Sequence, residues 1–207
     1  MKTMKILSVG ALMIIVSAFA VINFEVNTFS GYGIGDTATN FNLKNVDNSM
    51  VSLSDYQDAK GFIVVFTCNT CPFSVAYEDR IMALNSKYAP KGYPVIAINP
   101  NNPEAQPEDS FEDMQERAKS KGFEFPYLFD PNQTVYAEYG ATRTPHVFIL
   151  EKEGGNNVVK YIGAIDDNSK DASAVTEKYV ESAVDALLAG NEIDVKETKA
   201  IGCSIKI

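Results

Sequence analysis

Cysteine is scarce in this chain: three residues in 207, at positions 68, 71 and 203. A secreted protein that relies on disulfide staples carries several spaced pairs, so a scaffold of cross-links is excluded. Histidine is scarcer still, with His146 alone, and tryptophan is missing. Zinc asks for four ligands, and three cysteines with one histidine, lacking a second paired motif, do not supply them. No cofactor or metal is expected. Basic residues number 18 against 27 acidic ones and do not cluster. That pattern offers no phosphate-binding surface and speaks against a nucleic-acid partner. The net charge of -9 serves solubility and does not point to a substrate. Repeats and low-complexity tracts are also missing.

What is present is an ordinary globular composition, 45% hydrophobic, in a chain long enough for one substantial core. The first residues differ from the rest. Lys2 and Lys5 precede an almost unbroken apolar run from Ile6 to Ile22, and Ala18-Phe19-Ala20 fits a small-residue cleavage site. Charged start, apolar middle and small-residue exit describe a secretory signal peptide. The run of 17 residues is marginal for crossing a bilayer, so a membrane anchor is the competing reading. Either way the protein is expected to be exported, to the periplasm or cell envelope. The division that follows is 1–22 signal peptide or anchor, 23–35 linker, 36–190 folded domain and 191–207 a tail carrying Cys203.

Within the domain, Phe41–Leu43 and Met50–Leu53 flank a polar turn and predict a hairpin. Phe62–Phe66 is a continuous apolar run, as expected of a central strand covered on both faces. Phe73, Tyr77, Ile81, Leu84 and Tyr88 then recur at helical spacing, with Pro72 suited to the first turn. A second buried strand spans Pro94–Ile98, and Ser110 with Asp113 signals a helix start whose buried side is Phe111, Met114 and Ala118. Tyr127–Phe129, a brief helix opened by Asp130 and closed by Gly140, strands at His146–Leu150 and Val158–Ile162, and a helical stripe from Val175 to Leu188 complete the order. Strands alternating with helices imply an α/β layered domain with parallel pairs at its centre.

Thr67-Cys68-Asn69-Thr70-Cys71-Pro72 lies between the buried strand and the amphipathic helix. The first cysteine of such a pair, Cys68, is expected at the helix N-terminus, where free amides and the positive end of the macrodipole favour its thiolate. A second thiol one turn on resolves the product into an intramolecular disulfide. A purely structural disulfide closing so short a loop gains little loop entropy. Thr144-Pro145 is the second signal, because proline at the head of a buried strand cannot donate to the ladder. With the cysteine motif upstream, a cis peptide is expected there.

This order of parts resembles thioredoxin. The leading hairpin and the insert after Ile98 are similar to the peroxiredoxin branch, the alkyl hydroperoxide reductase/thiol-specific antioxidant (AhpC/TSA) family. The resemblance runs over roughly residues 33–207. It rests on Cys68-Asn69-Thr70-Cys71-Pro72-Phe73, Ala97-Ile98-Asn99-Pro100-Asn101, Tyr139-Gly140-Ala141-Thr142-Arg143-Thr144-Pro145 and Gly202-Cys203-Ser204-Ile205-Lys206, among other stretches. It implies a thioredoxin-like α/β fold, a central mixed β-sheet flanked by helices, with an N-terminal β-hairpin extension of the peroxiredoxin type. It implies Cys68 as nucleophile, Cys71 as resolving thiol, and Thr144 with Pro145 as the substrate-binding backbone facing them. Thr67 stands where thioredoxins carry tryptophan. The peroxidase pattern fits differently: it puts the reactive cysteine at Cys71 and wants an arginine where Pro145 stands, leaving Arg143 two residues away. Cys203 is either a third redox partner or a small buried residue, and His146 either tunes a thiolate or is packed.

The function expected is thiol–disulfide exchange with protein disulfides outside the cytoplasm, with a thiol electron donor or acceptor as partner. A thiol peroxidase reducing hydroperoxides and a non-catalytic binding module on a redox fold are the alternatives.

Overall fold

The computed structural model describes residues 31–207. The leader and most of the linker expected before residue 31 lie outside the described residues. Ten strands and four helices follow in the order β1 (Thr37–Ala38), β2 (Asn42–Asn45), β3 (Met50–Ser52), β4 (Gly61–Phe66), α1 (Pro72–Tyr88), β5 (Val95–Asn99), α2 (Phe111–Lys121), β6 (Tyr127–Phe129), α3 (Val135–Tyr139), β7 (Arg143–Thr144), β8 (His146–Glu153), β9 (Asn156–Gly163), α4 (Tyr179–Leu188) and β10 (Cys203–Ser204).

Eight strands form one mixed sheet in the order β1-β9-β8-β4-β5-β6-β2-β3, and β10 with β7 forms a separate ribbon. β4 is central: it runs parallel to β5 and antiparallel to β8. Every β4 residue is buried, because alternate side chains enter two different cores. Ile63 and Val65 face α1, α2 and α4, meeting Ile81, Met114 and Val184. Phe62, Val64 and Phe66 face α3 and the hairpin, meeting Tyr139, Phe41 and Leu53. A strand covered on both faces has no polar side to show, which is why it reads as an unbroken apolar run.

The hairpin β2–β3 forms at the expected place, with Leu43 opposite Val51 and Asn48 in the left-handed region at its turn. It closes the far edge of the sheet by pairing β2 with β6. The start of the described chain is tied down too: the Tyr32 amide donates to the Tyr139 carbonyl and the Gly35 amide to the Val159 carbonyl.

Two helices depart from the expected registers. In α1 it is Ser74, fully buried, that continues the inner stripe of Tyr77, Ile81, Leu84 and Tyr88, while Phe73 is half-buried. α4 begins at Tyr179 and not at Val175. Upstream of it, Asp171 caps a short 3₁₀ turn at Ala172–Ala174, and Asp167 holds the amide and hydroxyl of Thr176. These carboxylates satisfy the backbone in a non-helical form, as Asp does at turns. Among the described residues, no helix is long and apolar enough to cross a membrane.

Candidate active site

The motif loop is placed by the end of β4 and the start of α1. The Thr67 amide donates to the Ile98 carbonyl, extending the β4–β5 ladder by one step. α1 then begins at Pro72, whose missing N–H is no loss in the first turn, and leaves Cys71 as its N-cap. Between these anchors, Asn69 is held from three sides. Its amide donates to Asp109 Oδ1 at 2.7 Å, its side-chain nitrogen donates to the Glu108 carbonyl, and its side-chain oxygen accepts from the Tyr127 hydroxyl. Asp109 is fully buried and also accepts from the side chains of Asn99 and Asn101. Burial pushes its pKa up, and the hydrogen bonds from Asn101, Asn69 and Asn99 pull the other way. A buried carboxylate is tolerated where such donors surround it.

Opposite the loop stands Thr144, fully buried, joined to Pro145 by a cis peptide bond. Thr144 touches both thiols. Its hydroxyl lies 3.2 Å from Cys68 Sγ, and its carbonyl oxygen accepts from Cys71 Sγ at 3.2 Å. Cys68 Sγ also donates to the Ser74 hydroxyl at 3.7 Å. Both cysteines are free thiols and both are buried.

The third cysteine joins them. β10 pairs antiparallel with β7, setting Cys203 opposite Thr144 and Ser204 opposite Arg143. The Cys203 thiol and amide thereby come near enough to Cys71 to bear on its ionisation. Three cysteines dispersed over 136 positions of sequence thus meet around one threonine.

The three thiols do not ionise alike. Cys71 is drawn down to about 4, first by the hydrogen bond from the Cys68 thiol. The Cys203 thiol and the amides of Ser74 and Cys203 add to this, and burial opposes it. The Ser74 amide lies near the sulfur without making a capping bond. The Thr144 carbonyl is bonded only while Cys71 keeps its proton, so that contact resists ionisation. Cys68 is pushed up, by the same shared hydrogen bond, by burial and by the charge of Asp109. Cys203 is pushed up to about 11 by burial and by its neighbour Cys71. The two thiols therefore titrate as a pair, and their mutual interaction pulls Cys71 down and pushes Cys68 up.

The remaining residues named from sequence fall outside this cluster. Thr67 is buried beside it. Arg143 is exposed on β7, and its charge bears on Cys203. His146 packs its ring on Phe148 at 4.8 Å and accepts the Thr142 amide at Nδ1. Burial holds it down to about 4, as a neutral ring. Among the described residues, no group of three or more His, Cys, Asp or Glu side chains is arranged to hold a metal ion. Sequence reasoning did not find Ser74, Asp109 or Tyr127. The signal for Asp109 lay in the turn-rich Asn99–Pro103 segment and the helix start after it, but which amide it holds depends on a residue 40 positions away.

A dithiol at the junction of a central strand and a helix, facing a cis-proline loop, defines a thioredoxin-fold redox protein. Residues 34–162 match the AhpC/TSA family model, and the chain belongs to that family. It is 25% identical over 124 residues to the thiol-disulfide oxidoreductase ResA of Geobacillus thermodenitrificans, covering 58% of this chain and 65% of that protein. The chain thus spans just under two thirds of that relative's length. An uncharacterized conserved protein of Geobacillus kaustophilus superposes with a TM-score of 0.78 at 37% identity, covering 87% of this chain and 94% of that one. The exposed lipoprotein thioredoxin of Streptococcus pneumoniae shares the fold, with a TM-score of 0.53 at 21% identity over 71% of this chain and 99% of that one.

Proposed function

We propose that this protein is a thiol–disulfide oxidoreductase that exchanges a Cys68–Cys71 dithiol/disulfide with protein substrates outside the cytoplasm. The observation that carries the reading is the arrangement around Thr144. One buried residue holds both sulfurs, through its hydroxyl and its carbonyl, at the start of a helix that favours negative charge. Exchange needs a thiolate to attack and a neighbouring thiol to close the product, and Cys71 with Cys68 supply both. The thioredoxin resemblance assigns the attack to Cys68 and the resolving role to Cys71, while the interaction between the two sulfurs favours the charge at Cys71, the order the peroxidase pattern implies. The backbone at Thr144-Pro145 is the docking edge for an extended protein segment, and Arg143 flanks that edge. Residues 1–22, as a signal peptide or an anchor, bring the protein to the periplasm or cell envelope, where it is membrane-associated if the segment is retained. The similarity to ResA is in keeping with dithiol chemistry.

A second reading, reduction of hydroperoxides, is favoured by the direction in which Cys71 is pulled: its thiol is drawn down, at the position the peroxidase pattern assigns to its reactive cysteine. Against it, Arg143 lies out on β7, where its charge bears on Cys203. Stopped-flow consumption of hydrogen peroxide by the reduced protein separates the two, with a Cys-x-x-Cys peptide at the same pH as the reference. At pH 7 a thiol of ordinary pKa is only about 3% ionised, so full ionisation alone gives about a 30-fold advantage. The exchange reading predicts an advantage no larger than that. An advantage of roughly a thousandfold or more would mean that the fold activates peroxide.

A further inference from the structure

The edge of β7 is already occupied. β10 lies along it as an antiparallel partner, in the place where an extended substrate would pair. The fit is close: a Cβ added at Gly202 would come within 2.1 Å of the Thr144 carbonyl oxygen. Beyond Cys203, Ile205 is buried in the core on the α3 side of the sheet. The Lys206 amide donates to Asn101 Oδ1, and its carbonyl accepts from the Asn102 amide and the Gln133 side chain. Asn101 in turn donates to Asp109, which holds the Asn69 amide in the motif loop. One chain of hydrogen bonds therefore ties the tail's seat to the Cys68–Cys71 loop. At its head Cys203 lies opposite Thr144, whose carbonyl accepts from the Cys71 thiol, so Cys203 and Cys71 meet on the same residue.

We propose that Cys203 is a third catalytic thiol and that the tail is a built-in substrate, taking the disulfide from Cys68–Cys71 onto Cys71–Cys203. The inference rests on the exchange reading above. The Cys203 sulfur attacks Cys71 Sγ, the Cys68–Cys71 bond breaks, the Cys71–Cys203 bond forms, and the proton leaving Cys203 ends on Cys68. The step is an isomerisation of one disulfide and needs no further oxidant. It leaves Cys68 free as a thiol and locks the tail on the β7 edge, so a protein substrate docks only when the tail is released.

The test is disulfide mapping of the full chain after mild oxidation with diamide. Trypsin puts Cys68 and Cys71 in one peptide, residues 61–80, and Cys203 in another, residues 200–206. In monomeric wild-type protein and in Cys68→Ser, the two peptides are expected joined by a reducible link, and in Cys71→Ser they are expected apart. Mapping the wild type keeps the test valid if a variant folds poorly. Recovery of 200–206 with a free thiol, while 61–80 holds an internal disulfide, overturns the third thiol and leaves the exchange reading standing. A link that persists in Cys71→Ser also overturns it, since Cys68 would then be the partner. If no disulfide forms in either peptide, the exchange reading fails and the third thiol fails with it.

Discussion

Gly202 gives the sharpest handle on the docked tail. Replacing it with alanine places a methyl 2.1 Å from the Thr144 carbonyl oxygen, 2.6 Å from its carbon and 3.1 Å from the Pro145 nitrogen. Ordinary van der Waals contact begins near 3.4 Å, so β10 must draw back by about 1.3 Å, the difference from 2.1 Å. Thr144 cannot yield, because it is fully buried between the two thiols. A two-residue ribbon does not survive such a shift with its hydrogen bonds intact. Overpacking of this kind costs about 1–3 kcal/mol, which raises the tail-open population about 5- to 150-fold. Alkylation of Cys203 by a maleimide reads that population directly while closing of the tail outpaces labelling. The expected result is a labelling rate raised by about that factor in Gly202→Ala, with the urea midpoint of the domain little changed. A labelling rate equal to the wild type would refute the argument, because it would mean the tail does not sit where the geometry puts it.

Three more outcomes follow from the site and its supports. Cys71 drawn down to about 4 predicts thiolate absorbance near 240 nm at pH 6 in the reduced wild type, retained in Cys68→Ala at reduced strength and lost in Cys71→Ser; retention in Cys71→Ser would move the charge to another sulfur. His146 is held down to about 4 by burial, below its ordinary 6.5, so the unfolded chain binds the extra proton and stability falls as pH drops from about 6.5 to about 4. The loss attributable to that one residue approaches about 3 kcal/mol at the bottom of the window, and His146→Phe should abolish it. Urea unfolding of both proteins at pH 7 and pH 4.5 checks this, and parallel losses in the two would contradict it. Asp130 is fully buried and accepts the amides of Thr134, Val135 and Tyr136 at the start of α3. Asp130→Ala should therefore cost about 1–3 kcal/mol by urea denaturation, and a cost below about 0.5 kcal/mol would show that water replaces the carboxylate there.

Much of the frame was legible because it is local. Phe62–Phe66 reads as a central strand since both its faces are buried, and Ser110 reads as a cap since its hydroxyl accepts the Asp113 amide three residues on. Thr144-Pro145 drew notice because proline heads a buried strand, and the peptide is cis. Phe73 misled because hydrophobicity was the only guide to the face of α1. The buried position belongs to Ser74, whose hydroxyl accepts the Cys68 thiol, a polar reason that periodicity does not register. The site's finer structure is non-local. The β7–β10 ribbon joins residues about 60 apart, and the path from Lys206 through Asn101 and Asp109 to Asn69 crosses three separate segments. The charge preference of Cys71 draws first on Cys68 within the motif and then on Cys203, whose resting place the motif alone does not specify.

The central claim is that Cys68 and Cys71 form one redox couple. Its most direct test is equilibration with graded ratios of reduced and oxidised glutathione, followed by acid quench, alkylation and mass analysis. The Cys203→Ser chain isolates the pair from the tail. The account predicts a single two-electron transition in which both thiols vanish together into an internal disulfide, with little glutathione adduct at the midpoint. Thiols that titrate one at a time as separate glutathione adducts, or that stay reduced at every ratio, would contradict it.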